Sequence, residues 1–147
     1  PQYGFFVPGS PVFTQPLFLP ASTLNSAKVT NAMISDGCII GDATIERCVL
    51  GIRSIIQSGS TLKNTIMMGA DFYESEVHKP AAGVPSIGIG RDCVINGAII
   101  DKNARIGNKV VISPEGKSQD LDGDGYYIRD GIVVVPKNSV IKDGTWI

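Results

Sequence analysis

Residues 89–112 read IGRDCVINGAIIDKNARIGNKVVI, and this stretch decides the fold. It divides into short units that each begin with isoleucine: IGRDCV from Ile89, INGAII from Ile95, IDKNAR from Ile100 and IGNKVV from Ile106. Similar units recur on both sides, as ISDGCI, IGDATI, LGIRSI, IQSGST and LKNTIM within residues 34–67, and as VPKNSV and IKDGTW within residues 135–146. Recurrence at six-residue spacing indicates a repeat protein.

The fifth residue of each unit is usually small or aliphatic. Residues two apart lie on one face of a strand, so the fifth residue and the next unit's first residue point inward together. Gly, Asn and Asp between them suit a corner, and three sides complete a triangular turn that stacks on its neighbours. From Ala32 to Met68 we expect inward positions on even numbers, with a slip near Glu46 that shortens one side by two residues. The fifth residues are Cys38, Thr44, Ser54, Ser60, Ile66, Cys93, Ala104, Val110, Ser139 and Thr145.

The sequence therefore predicts an all-β, single-stranded parallel β-helix over residues 23–147 with two excursions. Residues 1–22 contain five prolines and read as an extended linker or strap. Residues 71–80 have the chain's one helical composition, and residues 81–86 read as loop. Residues 113–125, rich in Gly, Asp and Ser, are expected to form a mobile polar loop. A β-sandwich also has short strands, but it does not explain hexads in two long blocks.

Composition narrows the class of protein. The 147 residues are 43% hydrophobic and 18% charged with a net charge of −1, which favours one globular domain and argues against nucleic acid or an anionic membrane as partner. No apolar run reaches the length of a membrane span. Cys38, Cys48 and Cys93 are odd in number and form no CxxC pair, so we expect free buried thiols in a reducing compartment.

Four segments carry a resemblance to a known family. They are GIRSIIQSGSTLKNTIMMGADFYESE (51–76), IGIGRDCVINGAIIDKNARIGNKVVI (87–112), GYYIRDGIVVVPKNSVIKDGTWI (125–147) and the strap FVPGSPVFTQPLFLP (6–20). Together they resemble the C-terminal domain of ADP-glucose pyrophosphorylase (glucose-1-phosphate adenylyltransferase), plant and cyanobacterial branch. GADFYE, IIDKNARIG and GYYIRDGIVVV in this order are more specific than the generic hexads.

The resemblance implies a left-handed β-helix, an exception to right-handed crossovers. It also implies the regulatory and assembly domain of a cytoplasmic or plastid stromal enzyme that makes ADP-glucose and diphosphate from ATP and glucose 1-phosphate, for glycogen or starch. The implied partners are an N-terminal nucleotidyltransferase domain, the other subunits of a homo- or hetero-tetramer, and a phosphorylated sugar metabolite or phosphate effector. The family's Gly-rich nucleotide loop and acidic metal ligands are missing here, so no catalytic residue or cofactor is assigned to this chain. Mg²⁺ is expected for the full-length enzyme.

Two lysines match effector-binding lysines of that family. Lys102, in IIDKNARIG, lies at a corner of the repeat with its side chain outward, and Lys137 lies in VVVPKNSV. A lysine supplies a point charge for phosphate. The alternative is that both are solvated surface lysines.

Three arginines are weaker candidates. Arg129 and Arg105 could join the lysines, since a guanidinium can grip two phosphate oxygens. Structural pairing with Asp101 or Asp130 is the alternative for both. Arg53 reads as a surface or interface residue.

Two further chemistries have partial signals. Asp120, Asp122 and Asp124 imitate the first half of a calcium loop, but the twelfth position is Gly131 and no helical pattern flanks it, so a flexible acidic turn is favoured. His78, the one histidine, is the base that a hexapeptide-repeat acyltransferase would need, yet it has no evident carboxylate partner.

The leading hypothesis is the regulatory and assembly domain, and the alternatives are a purely structural assembly module or a trimeric acyltransferase. Trp146 either covers the end of the aliphatic column or packs against a neighbouring subunit.

Overall fold

The computed structural model describes residues 19–74 and 80–147, which form a parallel β-helix with no α-helix among them. The all-β fold class predicted from the hexads is confirmed. In chain order the strands are β1 Thr23–Leu24, β2 Lys28–Thr30, β3 Met33–Ile34, β4 Ile39–Ile40, β5 Thr44–Glu46, β6 Val49–Leu50, β7 Ile55–Ile56, β8 Thr61–Lys63, β9 Ile66–Met67, β10 Gly88–Ile89, β11 Val94–Asn96, β12 Ala98–Ile100, β13 Arg105–Ile106, β14 Val111–Ile112, β15 Leu121–Asp122, β16 Tyr127–Arg129, β17 Ile132–Val135 and β18 Val140–Ile141.

Three sheets form the sides of the triangle. The first sheet has the order β1-β4-β7-β10-β13-β18, and the second has β2-β5-β8-β11-β14. The third has β3-β6-β9-β12-β17, followed by β16 and β15. Within the stacked coils each strand pairs in parallel with its counterpart one coil later, as in the register of Ile40 with Ile56. Equivalent positions of successive coils therefore lie above one another along the helix.

The core is a column of paired inward side chains, one small and one bulky, two residues apart. Because the bulky member is a fully buried aliphatic, each such residue contributes about 1.5–3 kcal/mol through burial. The pairs are Cys38 with Ile40, Ala43 with Ile45, Cys48 with Leu50, Ser54 with Ile56, Ser60 with Leu62, Cys93 with Ile95, Ala98 with Ile100, Ala104 with Ile106 and Val110 with Ile112. The three cysteines are free and buried, as expected.

The prediction of even-numbered inward positions is wrong in two places. Thr44 and Ile66 face outward, and the buried neighbours are Ile45 and Met67. Thr44 follows a shortened corner between the first and second sheets, where Ala43 comes three residues after Ile40 whereas Ser60 comes four residues after Ile56. Ile66 follows the corner between the second and third sheets, where one residue with positive φ makes the turn. These corner residues are Arg47 (φ 52), Asn64 (φ 50) and Gly97 (φ 79). A corner shorter by one residue reverses which numbers face inward, so the faces do flip at each of these corners.

The second excursion is more ordered than the expected polar loop. β15 and β16 pair antiparallel, and β16 pairs antiparallel with β17, so the excursion extends the third sheet. Leu121 and Ile128 are partners in this hairpin. The sequence prediction missed it because the acidic run hides two short strands. In the first excursion, residues 71 and 72 form a bend and residues 73, 74 and 80 have no regular secondary structure. Residues 75–79 of the segment with helical composition lie outside the described residues.

Two other expectations concern the ends of the domain, namely the role of Trp146 and the boundary between the strap and the β-helix. Trp146 forms a bridge to Val111 but is 78% exposed, so it does not cover the aliphatic column; Ile147 packs against the core instead. Residues 1–18 of the strap lie outside the described residues, so the boundary of 1–22 and 23–147 stays a prediction. In the described part of the chain, no helix has the length and apolarity that a membrane span requires.

Candidate functional site

The corner that joins the third sheet to the first, which we call the lysine corner, stacks the two candidate lysines. The amide of Asn103 donates to the carbonyl of Gly69 at 3.1 Å, and the amide of Asn138 donates to the carbonyl of Lys102 at 3.0 Å. Lys137 therefore occupies the position of Lys102 one coil later, about 4.8 Å away along the helix axis. The resemblance predicted both lysines, and the structure brings them together.

Local backbone chemistry sets this corner. Asn103 and Asn138 follow the lysines with φ of 62° and 63°, a conformation that asparagine tolerates better than most residues. Asp101 caps the turn, since its Oδ1 accepts a hydrogen bond from the Lys102 amide at 2.6 Å. Each Lys-Asn pair thus turns the chain and directs a lysine outward, and Lys102 and Lys137 are 43% and 54% exposed.

Both lysines converge on one carboxylate, that of Asp71 at the start of the first excursion. The Lys102 Nζ lies 3.4 Å from Asp71 Oδ1, and the Lys137 Nζ lies 3.9 Å from Asp71 Oδ2. The hydrogen bond from Asn103 is the main cause that lowers the pKa of Asp71, with smaller contributions from Lys102 and Lys137. An anionic group is therefore already present between the lysines.

Asn103 fixes Asp71 through a reciprocal pair of hydrogen bonds. The Asp71 amide donates to Asn103 Oδ1 at 2.9 Å, and Asn103 Nδ2 donates to Asp71 Oδ2 at 2.9 Å. Asn103 is buried, so this contact attaches the excursion to the corner. Sequence reasoning did not single out either residue, because their contact depends on the path of the excursion. The one sequence signal was the asparagine that follows each lysine.

Arg105 belongs to a separate contact. One of its guanidinium nitrogens lies 2.6 Å from Glu74 Oε2 and donates to the Pro85 carbonyl at 3.0 Å. Glu74 Oε1 accepts from the Ile87 amide at 2.7 Å. The two charged side chains are only 19% and 14% exposed. Arg105 therefore joins the two ends of the first excursion, and its partner is neither Asp101 nor Asp130.

Arg129 lies at the far end of the third sheet from the lysine corner. Its guanidinium contacts Asp122 Oδ1 at 2.7 Å and covers the Tyr127 ring at 4.9 Å. The hydrogen bond to Asp122 is the main cause that raises the pKa of Arg129. Arg129 pairs with Ile132 in the ladder, at the opposite end of β17 from Lys137. Ile132 lies five residues before Lys137, which corresponds to roughly 16 Å of extended chain, so Arg129 is not part of the lysine cluster.

The weak calcium candidate has other partners. Asp122 pairs with Arg129, and Asp120 Oδ1 accepts from the Asp130 amide at 3.1 Å. Within residues 19–74 and 80–147, no three His, Cys, Asp or Glu side chains are grouped so that they could hold a metal ion.

Two other sequence candidates are located as follows. His78 lies outside the described residues, so the acyltransferase hypothesis stays a prediction. Arg53 is half-buried rather than a free surface group: it donates to the Ala70 carbonyl at 3.0 Å, and its guanidinium lies 5.8 Å from the centroid of the Tyr73 ring.

Comparison with known proteins shows which family of β-helix domains carries this corner. Residues 17–146 match the family described as the GLGC left-handed parallel beta-helix domain. The chain belongs to this family. The left-handed winding that the resemblance implied is confirmed with it, and the corner that carries Lys102 and Lys137 is a corner of a GLGC β-helix domain.

A curated relative agrees with the family. The chain is 45% identical over 151 aligned residues to the maize protein "Glucose-1-phosphate adenylyltransferase large subunit 1, chloroplastic/amyloplastic". The match covers 99% of this chain and 29% of the relative, so the chain spans less than a third of that protein's length. The predicted resemblance to the C-terminal domain of glucose-1-phosphate adenylyltransferases is confirmed.

Proposed function

We propose that this GLGC β-helix domain regulates and assembles a glucose-1-phosphate adenylyltransferase, which converts ATP and glucose 1-phosphate into ADP-glucose and diphosphate for starch or glycogen synthesis. The similarity to the maize enzyme over 99% of the chain supports the reaction. That relative's name also supports a plastid location. A nucleotidyltransferase domain, with Mg²⁺ as its metal, performs the chemistry; no group of side chains suited to a metal occurs in the described residues.

The observation that carries the regulatory proposal is the convergence of two lysines on one anionic group. Lys102 and Lys137 lie within 3.4 Å and 3.9 Å of the Asp71 carboxylate, and each ammonium has three N–H donors. A phosphate group has the charge and the acceptor oxygens to bind between such lysines. The ligand class we propose is therefore a phosphorylated sugar metabolite or inorganic phosphate.

Regulation then follows from differential binding. An effector changes activity only if it binds one arrangement of the enzyme more tightly than another. The lysine corner contributes two positive charges from a rigid coil, and the catalytic domain contributes the groups that change position. Arg105 acts on this site only indirectly, because it holds the excursion that carries Asp71.

A spectroscopic titration of the 147-residue chain tests the site. Inorganic phosphate is added while amide ¹⁵N–¹H spectra are recorded, and the amides of Lys102, Asn103 and Asn138 are expected to shift. We expect Lys137→Ala to weaken the apparent affinity for phosphate by about 5-fold or more, because one of the two lysine charges that attract the phosphate is lost. Lys142→Ala, an exposed lysine on another corner, is the matched control. Shifts confined to other corners, or equal affinity in both variants, contradict the proposal.

The outer face of the third sheet supports the assembly proposal. Its outward residues form one apolar row in register across five strands, of which Met33 is 70% exposed. Contiguous exposed apolar rows mark protein interfaces. The outward row of the second sheet is mixed in polarity, with Lys28, Thr44 and Thr61 followed by Val94 and Val111. The maize relative is named a subunit, so we propose a neighbouring β-helix domain as the occupant of this row. The row consists of Met33, Val49, Ile66, Ile99 and Val134.

A further inference from the structure

We infer that Asp71 is an internal competitor of phosphate at the lysine corner, so that it lowers the affinity of the site for its effector. This inference rests on the proposed function, since it concerns the same two lysines. The Asp71 carboxylate already occupies the space between Lys102 and Lys137, which is the space a phosphate group needs.

Asp71 does not depend on the lysines for its position. Its two reciprocal hydrogen bonds with Asn103, both 2.9 Å, hold it against the corner. The contacts to the ammonium groups are longer, and ion pairs between exposed side chains are weak. An arriving phosphate therefore attracts the lysines away from Asp71, while the carboxylate stays nearby.

The corner has no net positive charge to attract an arriving anion. Lys102 and Lys137 contribute two positive charges, and Asp71 contributes one negative charge within 4 Å of both. Asp101 adds a second carboxylate, which accepts a hydrogen bond from the Lys102 amide at 2.6 Å. The four groups thus sum to no net charge. A phosphate that binds between the lysines must tolerate the fixed carboxylate of Asp71, and removal of that charge strengthens binding.

The opposite role for Asp71 is a scaffold that holds the lysines ready for phosphate. In that case loss of the carboxylate would let the lysines separate and weaken binding. The distances favour competition, since 3.4 Å and 3.9 Å are too long for firm positioning of an exposed ammonium group.

The test compares Asp71→Asn with wild type in the 147-residue chain, with inorganic phosphate as probe and amide spectra as readout. The amide side chain keeps an oxygen for Asn103 Nδ2 and loses the charge. We expect phosphate to bind about 3- to 10-fold more tightly at low salt, and the gain to shrink at high salt. Asp124→Asn, which removes a charge from the exposed second excursion, is the control and leaves the affinity unchanged. Asp71→Ser replaces Asp71→Asn if the latter does not fold.

The outcomes separate the two claims. Unchanged or weaker phosphate affinity in Asp71→Asn, with binding still sensitive to Lys137→Ala, overturns the competitor role alone. Phosphate binding that is absent in every variant, or insensitive to Lys137→Ala, overturns both the competitor role and the proposed function. Tighter binding that disappears in the double variant Asp71→Asn/Lys137→Ala supports both.

Discussion

At the scale of single residues, neighbouring charges in the same motif have different environments. Lys102 and Arg105 are three residues apart in IIDKNARIG, but Lys102 is outward on a corner and Arg105 is largely enclosed with Glu74. The sequence predicted the outward lysine because it lies at a corner of the repeat. It could not predict Glu74 as the partner of Arg105, because that contact closes a 31-residue separation through an excursion without a repeat.

The Arg105–Glu74 contact gives a prediction about stability. Arg105→Met removes the guanidinium and leaves the largely buried Glu74 without its charged partner, so we expect the free energy of unfolding to fall by about 1–3 kcal/mol. Urea unfolding followed by circular dichroism measures it. Arg47→Met removes an exposed ion pair with Glu46 and should cost less than about 1 kcal/mol. Equal losses in the two variants would show that Arg105 does not hold the excursion.

At the scale of elements, corner length decides which side chains face the core. Hexads alone predicted the parallel coils, their aliphatic column and the positions of both excursions. They did not predict that Arg47 and Asn64 each turn the chain alone with positive φ, because a one-residue corner has no consensus in composition. The antiparallel pairing of β15 with β16 was missed for a similar reason, since two-residue strands lack any period.

The apolar row on the third sheet gives a prediction about assembly. Ile66 is outward and exposed, so Ile66→Lys should leave the fold intact and place a charge in the proposed subunit interface. We expect sedimentation velocity of the full-length protein to show a shift towards smaller species. Thr44→Lys, an outward position on the second sheet, is the control. Unchanged sedimentation of Ile66→Lys would exclude this face as the interface.

At the scale of the whole molecule, the domain supplies a rigid frame for the lysine corner. Stacked parallel ladders fix Lys102 and Lys137 one coil apart, and the first excursion places Asp71 against them. The charges at this corner balance within the chain, so we expect phosphate to bind the 147-residue chain weakly, and we expect the proposed catalytic part of the protein to add cations that strengthen binding. That arrangement suits a domain that responds to a ligand together with the catalytic part of the protein.

The central claim is that Lys102 and Lys137 bind a phosphorylated effector, and the response of the full-length enzyme tests it most directly. ADP-glucose synthesis is measured against sugar-phosphate concentration for wild type, Lys102→Ala, Lys137→Ala and the control Lys142→Ala, each relative to its own rate without effector. We predict that the concentration for half-maximal response rises about 10-fold in the first two variants, which corresponds to about 1.4 kcal/mol of lost binding, and stays at the wild-type value in the control. Wild-type response curves for both Lys102→Ala and Lys137→Ala would contradict the account.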